Sequence, residues 1–178
     1  MNNVYFSETG YKSFVQALEK YKRESSSKTQ EEFDGAQGGE SSVWHDNFEF
    51  EQATISMNIR ASEIERLQEI IRNAIIVHIR EEVKKITIGN TVEIEFDNGE
   101  TREITIGAYG ESSPEKNLIA YQAPIAKAIM GKKEGDETTF TVQKNTRTIY
   151  ISKIHPASYK YRQLIEELLE EPLEEPVG

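Results

Sequence analysis

The chain has 178 residues, enough for one or two domains, and a formal net charge of −10. That balance argues against a free nucleic-acid backbone as direct partner and for a basic protein surface or a metal ion. With 37% apolar residues, a mean hydropathy of −0.63 and no cysteine, the chain reads as a water-facing protein without disulfides, as the cytoplasm favours.

The opening residues, MNNVYFSETG, have neither a basic start nor an apolar run, so no signal peptide is expected. Ser7-Glu8-Thr9-Gly10 reads as a helix start, with Ser7 or Thr9 as the cap. Tyr11, Phe14, Leu18 and Tyr21 then repeat at helical spacing, which predicts a first helix over Tyr11–Arg23. Ser25-Ser26-Ser27 is poor helix material. Gln30–Phe33 can resume the helix, and Gly35, Gly38 and Gly39 should stop it.

From Glu31 to Glu51 the chain is acidic, with Glu31, Glu32, Asp34, Glu40, Asp46, Glu49 and Glu51 and no Lys or Arg. It also holds the single tryptophan, Trp44, between Val43 and His45. Two readings stand here: a solvated loop, or an acidic tip presented to a cation.

The second helix is expected from about Asp46, which suits a cap or first-turn position. Phe50, Ala53, Met57, Arg60, Ile64, Leu67, Ile71 and Ala74 step alternately by three and four, and only Arg60 breaks the apolar seam. That stripe implies a long helix laid along a partner, ending near Ile79–Glu82. The longest apolar stretch, Ala74 to Ile79, is interrupted by His78 and too short to span a membrane. Two such helices and a Gly-rich turn make an antiparallel hairpin with arms of roughly 45 Å. The alternative is an ordinary helical hairpin packed into a globule.

From Ile86 the period becomes two. Thr91–Phe96 alternates apolar and charged, Asp97-Asn98-Gly99 turns, and Arg102–Ile106 returns as the second strand of a hairpin. After a loop over Gly107–Asn117, Leu118–Tyr121 reads as a short strand. Pro124 opens a short helix and Gly131 closes it. Gly135-Asp136 turns into a strand at Thr138–Val142; Asn145-Thr146 turns again into Thr148–Ile154. Beyond Ser158, Leu164, Ile165, Leu168 and Leu169 form one helical face among glutamates, ending at Pro172. The fold class is α+β, laid out as a helical hairpin over 1–80 with its acidic tip near 34–49, an α+β domain over 83–156 and an acidic extension over 157–178.

His45, His78 and His155 match no zinc spacing, and no phosphate-binding glycine motif or Ser/His/Asp set is visible. Gly131-Lys132-Lys133-Glu134-Gly135 is followed by Asp136 and reads as a turn. No self-contained active site is legible. What remains is a carboxylate cluster, and carboxylates are natural ligands of Mg²⁺.

Tyr121–Phe140, YQAPIAKAIMGKKEGDETTF, resembles the signature of the GreA/GreB family of bacterial transcription elongation factors. Pro124, Ile125, Ala126, Lys127, Ala128, Gly131, Lys132, Gly135 and Asp136 stand in the signature's places. Ser7-Glu8-Thr9-Gly10 and Asp46-Asn47-Phe48-Glu49-Phe50 are similar to the family's opening and post-tip segments. The resemblance implies a coiled-coil hairpin followed by an FKBP-like antiparallel-sheet domain. It implies bacterial RNA polymerase as the partner, docked through the turn of Gln122, Ala123 and Pro124, with the hairpin in the secondary channel.

It further implies that acidic tip residues, here Asp46 and Glu40, share an Mg²⁺ with the polymerase active centre near the RNA 3′ end, to cleave backtracked transcripts. The chain would then be a cofactor of another enzyme, binding no metal, free DNA or membrane on its own. The sequence departs from the pattern at Val43, where the family's first tip carboxylate stands, at Thr54 and Glu63, where basic residues are usual, and at Gln122-Ala123, where Asp/Asn-Ser is usual. Cleavage and channel occupation without cleavage therefore both stand as readings. An FKBP-like prolyl isomerase or chaperone with a helical arm is a third, and for an isomerase pocket Tyr109 and Tyr121 supply few aromatics.

Overall fold

The structure, a computed structural model, describes residues 3–37, 45–81, 83–142 and 144–170. In chain order its elements are strand β1 (Val4–Phe6), helices α1 (Glu8–Gln37) and α2 (His45–Arg72), strands β2 (Ala74–Ile76), β3 (Thr91–Phe96), β4 (Thr101–Gly107) and β5 (Leu118–Ala120), helix α3 (Pro124–Ile129), strands β6 (Glu137–Val142) and β7 (Asn145–His155), and helix α4 (Tyr161–Glu170). They fall into two compact units. One comprises residues up to Val4 with Tyr11–Ala74; the other comprises Tyr5–Gly10 with the chain from Ile75 on.

Ser7 caps α1: the backbone N–H of Gly10 donates to its Oγ at 2.9 Å, while Thr9 lies inside the helix. The helix does not break at the serine run. It is continuous for 30 residues, with Ser25 buried on the face toward α2 and Thr29 Oγ1 bonded back to the Ser25 carbonyl at 2.7 Å. Burial against α2 outweighs the weak helix preference of three serines, which amounts to roughly 0.5 kcal/mol per residue. The antiparallel pairing is legible in its contacts, Phe33 against Phe50 and Glu32 against Arg60.

The second helix stops sooner than its apolar run suggests. It ends at Arg72, and Ala74–Ile76 become β2, paired with β1. The β-branched Ile75 and Ile76 suit a strand better than a helix end. Val4 N–H donates to the Asn73 carbonyl at 3.0 Å, and Val77 N–H to that of Phe6 at 2.8 Å.

In the second unit a five-stranded sheet runs in the order β5-β4-β3-β7-β6. All neighbours are antiparallel except β5, which runs parallel to β4. Val92, Ile94 and Phe96 point into the core while Glu93 and Glu95 take the other face, the alternation that VEIEF predicts. A register shift at Glu93/Ile94 bends β3 against β7. The turn before β7 lies earlier than Asn145-Thr146. Both are in the strand, and Lys144 takes the left-handed conformation at φ 74°. Ala126 and Ile129 of α3 lie fully buried against the core of the curled sheet. The acidic extension begins as α4, docked on its own unit through Tyr161 and Ile165 against Leu118 and Ala157.

Candidate functional site

In the helical unit, the one polar residue of the α2 seam reaches across to α1. Arg60 Nη1 donates to Glu32 Oε1 at 2.9 Å, and Nη2 to Glu32 Oε2 at 2.6 Å and Thr29 Oγ1 at 2.9 Å. The guanidinium hydrogen bonds hold the Glu32 carboxyl below its ordinary range, and Glu32 in turn raises Arg60. A charged group at a seam position accepts only one pairing, so the bridge defines the hairpin register. Ser25 Oγ and Arg60 Nε beside it are buried without a hydrogen bond. Both residues line an open concavity of about 380 Å³ together with Met57 and Ile64.

Toward the tip, Asp46 lies in the first turn of α2. Its side chain, and Glu40 and Val43 entirely, lie outside the described residues. Of the two departures along the arm, Thr54 bonds back to the Phe50 carbonyl at 2.8 Å and Glu63 pairs with Arg66 at 2.6 Å. A second apolar line runs along α2 outside the seam: Phe48, Ile55 and Ile59 are 63%, 50% and 65% exposed. Its spacing of seven and four is helical, so the signal was present in the sequence but outside the seam.

In the second unit the turn at 122–124 is rigid. Ala123, extended at φ −60° and ψ 144°, donates its N–H to Ala120 O at 2.9 Å and accepts from Lys127 N–H at 2.9 Å. Pro124 follows in the first turn of α3, where its missing N–H is harmless. Gln122 and Pro124 are exposed and Ala123 is half-buried. Gly131 leaves the helix with φ +78°, and Asp136 Oδ2 accepts the Lys133 N–H at 2.9 Å, so the 131–136 segment is a turn.

Two side-chain networks escaped sequence reasoning because their members are far apart in the chain. Glu111, 4% exposed, accepts from Ser7 Oγ, from Ala108 N–H at 2.7 Å and from Tyr161 Oη at 2.6 Å. It thereby ties the segment before α1 and the start of α4 to the end of β4. Burial first, then the Glu111 charge and hydrogen bond, push the Tyr161 hydroxyl well above its ordinary value. On the sheet, Glu93 Oε1 lies 2.7 Å from His155 Nε2, and Glu103 stands beside them within 4.8 Å. Lys160 pairs with Glu103, and the Tyr159 ring stacks on His155 at 4.2 Å. A lysine ammonium thus already balances this cluster, which fastens residues 155–160 to the sheet. Tyr121 and Tyr109 are likewise engaged in packing, Tyr121 edge-on to Tyr5 at 5.5 Å and Tyr109 against Phe6 at 5.0 Å.

No helix among the described residues is long and apolar enough to cross a membrane. Residues 81–156 match the family described as "Transcription elongation factor, GreA/GreB, C-term". The chain is 30% identical over 147 residues to a protein named transcription elongation factor GreA from Nautilia profundicola, a match covering 82% of this chain and 90% of that protein. It is 33% identical over 111 residues to the protein of that name from Listeria monocytogenes, covering 61% of this chain and 69% of that one. The crystal structure of GreA factor homolog 1 (Gfh1) of Thermus thermophilus superposes with a TM-score of 0.37 at 21% identity, over 86% of this chain and 99% of that chain. The sequence match extends over the hairpin as well as the sheet unit, and on it the chain belongs to the GreA/GreB family of transcription elongation factors.

Proposed function

We propose that the chain binds bacterial RNA polymerase, that its hairpin enters the secondary channel, and that its acidic tip promotes cleavage of backtracked transcripts. The observation that carries this reading is the hairpin itself. Two helices of 30 and 28 residues pair antiparallel, and the Arg60–Glu32 bridge fixes their register. Helices of this length run about 40–45 Å from end to end. The Gln122-Ala123-Pro124 turn, held rigid by α3, is the docking surface in this reading. The exposed line of Phe48, Ile55 and Ile59 offers the channel lining an apolar contact.

Asp46 and Glu40 supply hard carboxylate oxygens, a donor set that suits Mg²⁺, which takes one or two protein carboxylates beside other oxygens. Asp46 and Glu40 would hold such a metal together with the polymerase, and it would supply activation of water for phosphodiester hydrolysis. Asp46 is positioned by the first turn of α2; Glu40 follows Gly38 and Gly39 in the connecting segment. Val43, at the place of the family's first tip carboxylate, favours a second reading in which the hairpin occupies the channel and modulates transcription without cleavage. A stalled, backtracked complex separates the two. The first reading predicts faster shortening of the RNA 3′ end with wild-type protein, and loss of that activity in Asp46→Ala and Glu40→Ala with binding intact. Tight binding without cleavage over a range of Mg²⁺ concentrations leaves the second.

A further inference from the structure

Among the described residues of the second unit, four basic side chains gather on one surface. Arg80, Lys84, Lys85 and Lys133 line an open concavity of about 630 Å³ with Thr87, and all four cations are exposed. Its two walls are the segment after β2 and the turn after α3. Backbone bonds pin them together: Ile86 N–H donates to Lys132 O, and Gly131 N–H to Ile86 O, both at 2.8 Å. Asn90 stiffens the first wall by accepting the Thr87 N–H and hydroxyl, each at 2.9 Å. The cations therefore sit on a preformed frame.

The neighbouring described carboxylates have bonds of their own. Glu81 is bound to Arg162 at 2.8 Å and to the Ser158 N–H. Glu134 accepts the Ile154 N–H at 2.8 Å, and Asp136 the Lys133 N–H. Arg80, Lys85 and Lys133 pair with no described residue, although the chain has 31 acidic against 21 basic side chains. Arg80, Lys85 and Lys133, like charges gathered on one surface, repel one another, so the surface gains by meeting an anion.

The character of the anion follows from the walls. A phosphate cradle presents free backbone N–H groups. Here those of Thr87 and Lys133, one on each wall, are already bonded. Single-stranded nucleic acid is held by stacking on aromatic rings, and among the described residues none that lines the concavity is aromatic. A duplex would meet the net charge of −10. Three lysines and an arginine on flexible stems suit several separate carboxylates. We propose that this concavity docks an acidic segment of a protein partner. From the polymerase reading it takes only that the partner is a protein.

The test uses the full chain, with a fluorescein-labelled oligoglutamate peptide and a single-stranded RNA of equal charge as probes, read by anisotropy. The peptide should bind at low salt and be released near 0.3 M, where screening shortens to well under about 10 Å. Arg80→Gln/Lys85→Gln/Lys133→Gln should weaken it at least about tenfold, the effect of three modest charge contacts. Lys20→Gln/Lys28→Gln/Lys153→Gln, with the same change in net charge, should leave it within about twofold. Absence of peptide binding, equal losses in the two triple variants, or RNA bound more tightly than peptide at the same residues would each overturn the proposal. Polymerase added as a third probe keeps the two readings apart. If it fails to bind while the peptide result holds, only the polymerase reading is removed.

Discussion

Replacing Tyr161 by Phe tests how the C-terminal helix is held. The ring is 3% exposed and stays in place in the variant, so the change removes one hydroxyl and little packing. That hydroxyl donates to Glu111 Oε2 at 2.6 Å, on a carboxylate that also serves Ser7 and Ala108. A hydrogen bond to a carboxylate that loses its donor in a buried site costs about 1.5–3 kcal/mol. For a unit of about 100 residues, that is a drop in melting temperature near 10 °C. Urea unfolding followed by circular dichroism measures the loss. Amide exchange at Ser7, Ala108 and the first turn of α4 should quicken together, because one carboxylate joins the three segments. A loss below about 0.5 kcal/mol, the size of an ordinary surface change, would refute the role assigned to Glu111.

A Cβ at Gly107 would collide with the backbone carbonyl of Glu111, so Gly107→Ala should destabilise the sheet unit by about 1–3 kcal/mol in the same urea titration. Glu32 is held below its ordinary 4.5 by Arg60, so its contribution is present above that pH and fades as acid protonates the folded carboxyl; an acid titration of hairpin helicity should flatten in Arg60→Leu/Glu32→Leu. The same double variant should melt no lower than wild type at neutral pH, because an apolar pair can replace a partly buried bridge, whereas Arg60→Leu alone should melt lower. Tyr161 is raised above its ordinary 10.0, so its contribution holds below pH 10 and is lost as the unfolded chain ionises above it; alkaline unfolding should begin later in Tyr161→Phe relative to that variant's own neutral stability.

Periodicity carried most of the architecture. The three-four stepping from Phe50 to Ile71 is the α2 seam, and the alternation of VEIEF is β3. The signature at Tyr121–Phe140 identified the family through a turn whose φ +78° glycine and first-turn proline are local requirements. What the sequence concealed was non-local. The serine run stays helical only because α2 covers Ser25, and Arg60 looks like a flaw in the seam until Glu32, 28 residues away, meets it. Ala74–Ile76 continues an apolar stretch and pairs with β1 for reasons that lie at the other end of the chain. Glu111 reads as a loop glutamate, because its partners Ser7 and Tyr161 are 104 and 50 residues distant. The basic concavity is split between 80–87 and 133, and Lys132-Lys133 alone looks like turn chemistry.

Polymerase binding is the claim on which the rest of the functional account depends. Fluorescence anisotropy of the labelled chain titrated with bacterial RNA polymerase core enzyme measures it directly. The account predicts saturable binding, weakened about tenfold or more by Gln122→Arg, since an exposed turn residue in a docked interface costs at least about 1.4 kcal/mol when it clashes. The melting temperature of that variant should match wild type, because Gln122 is exposed. No saturable binding would contradict the account, and binding unchanged by Gln122→Arg would move the contact away from this turn.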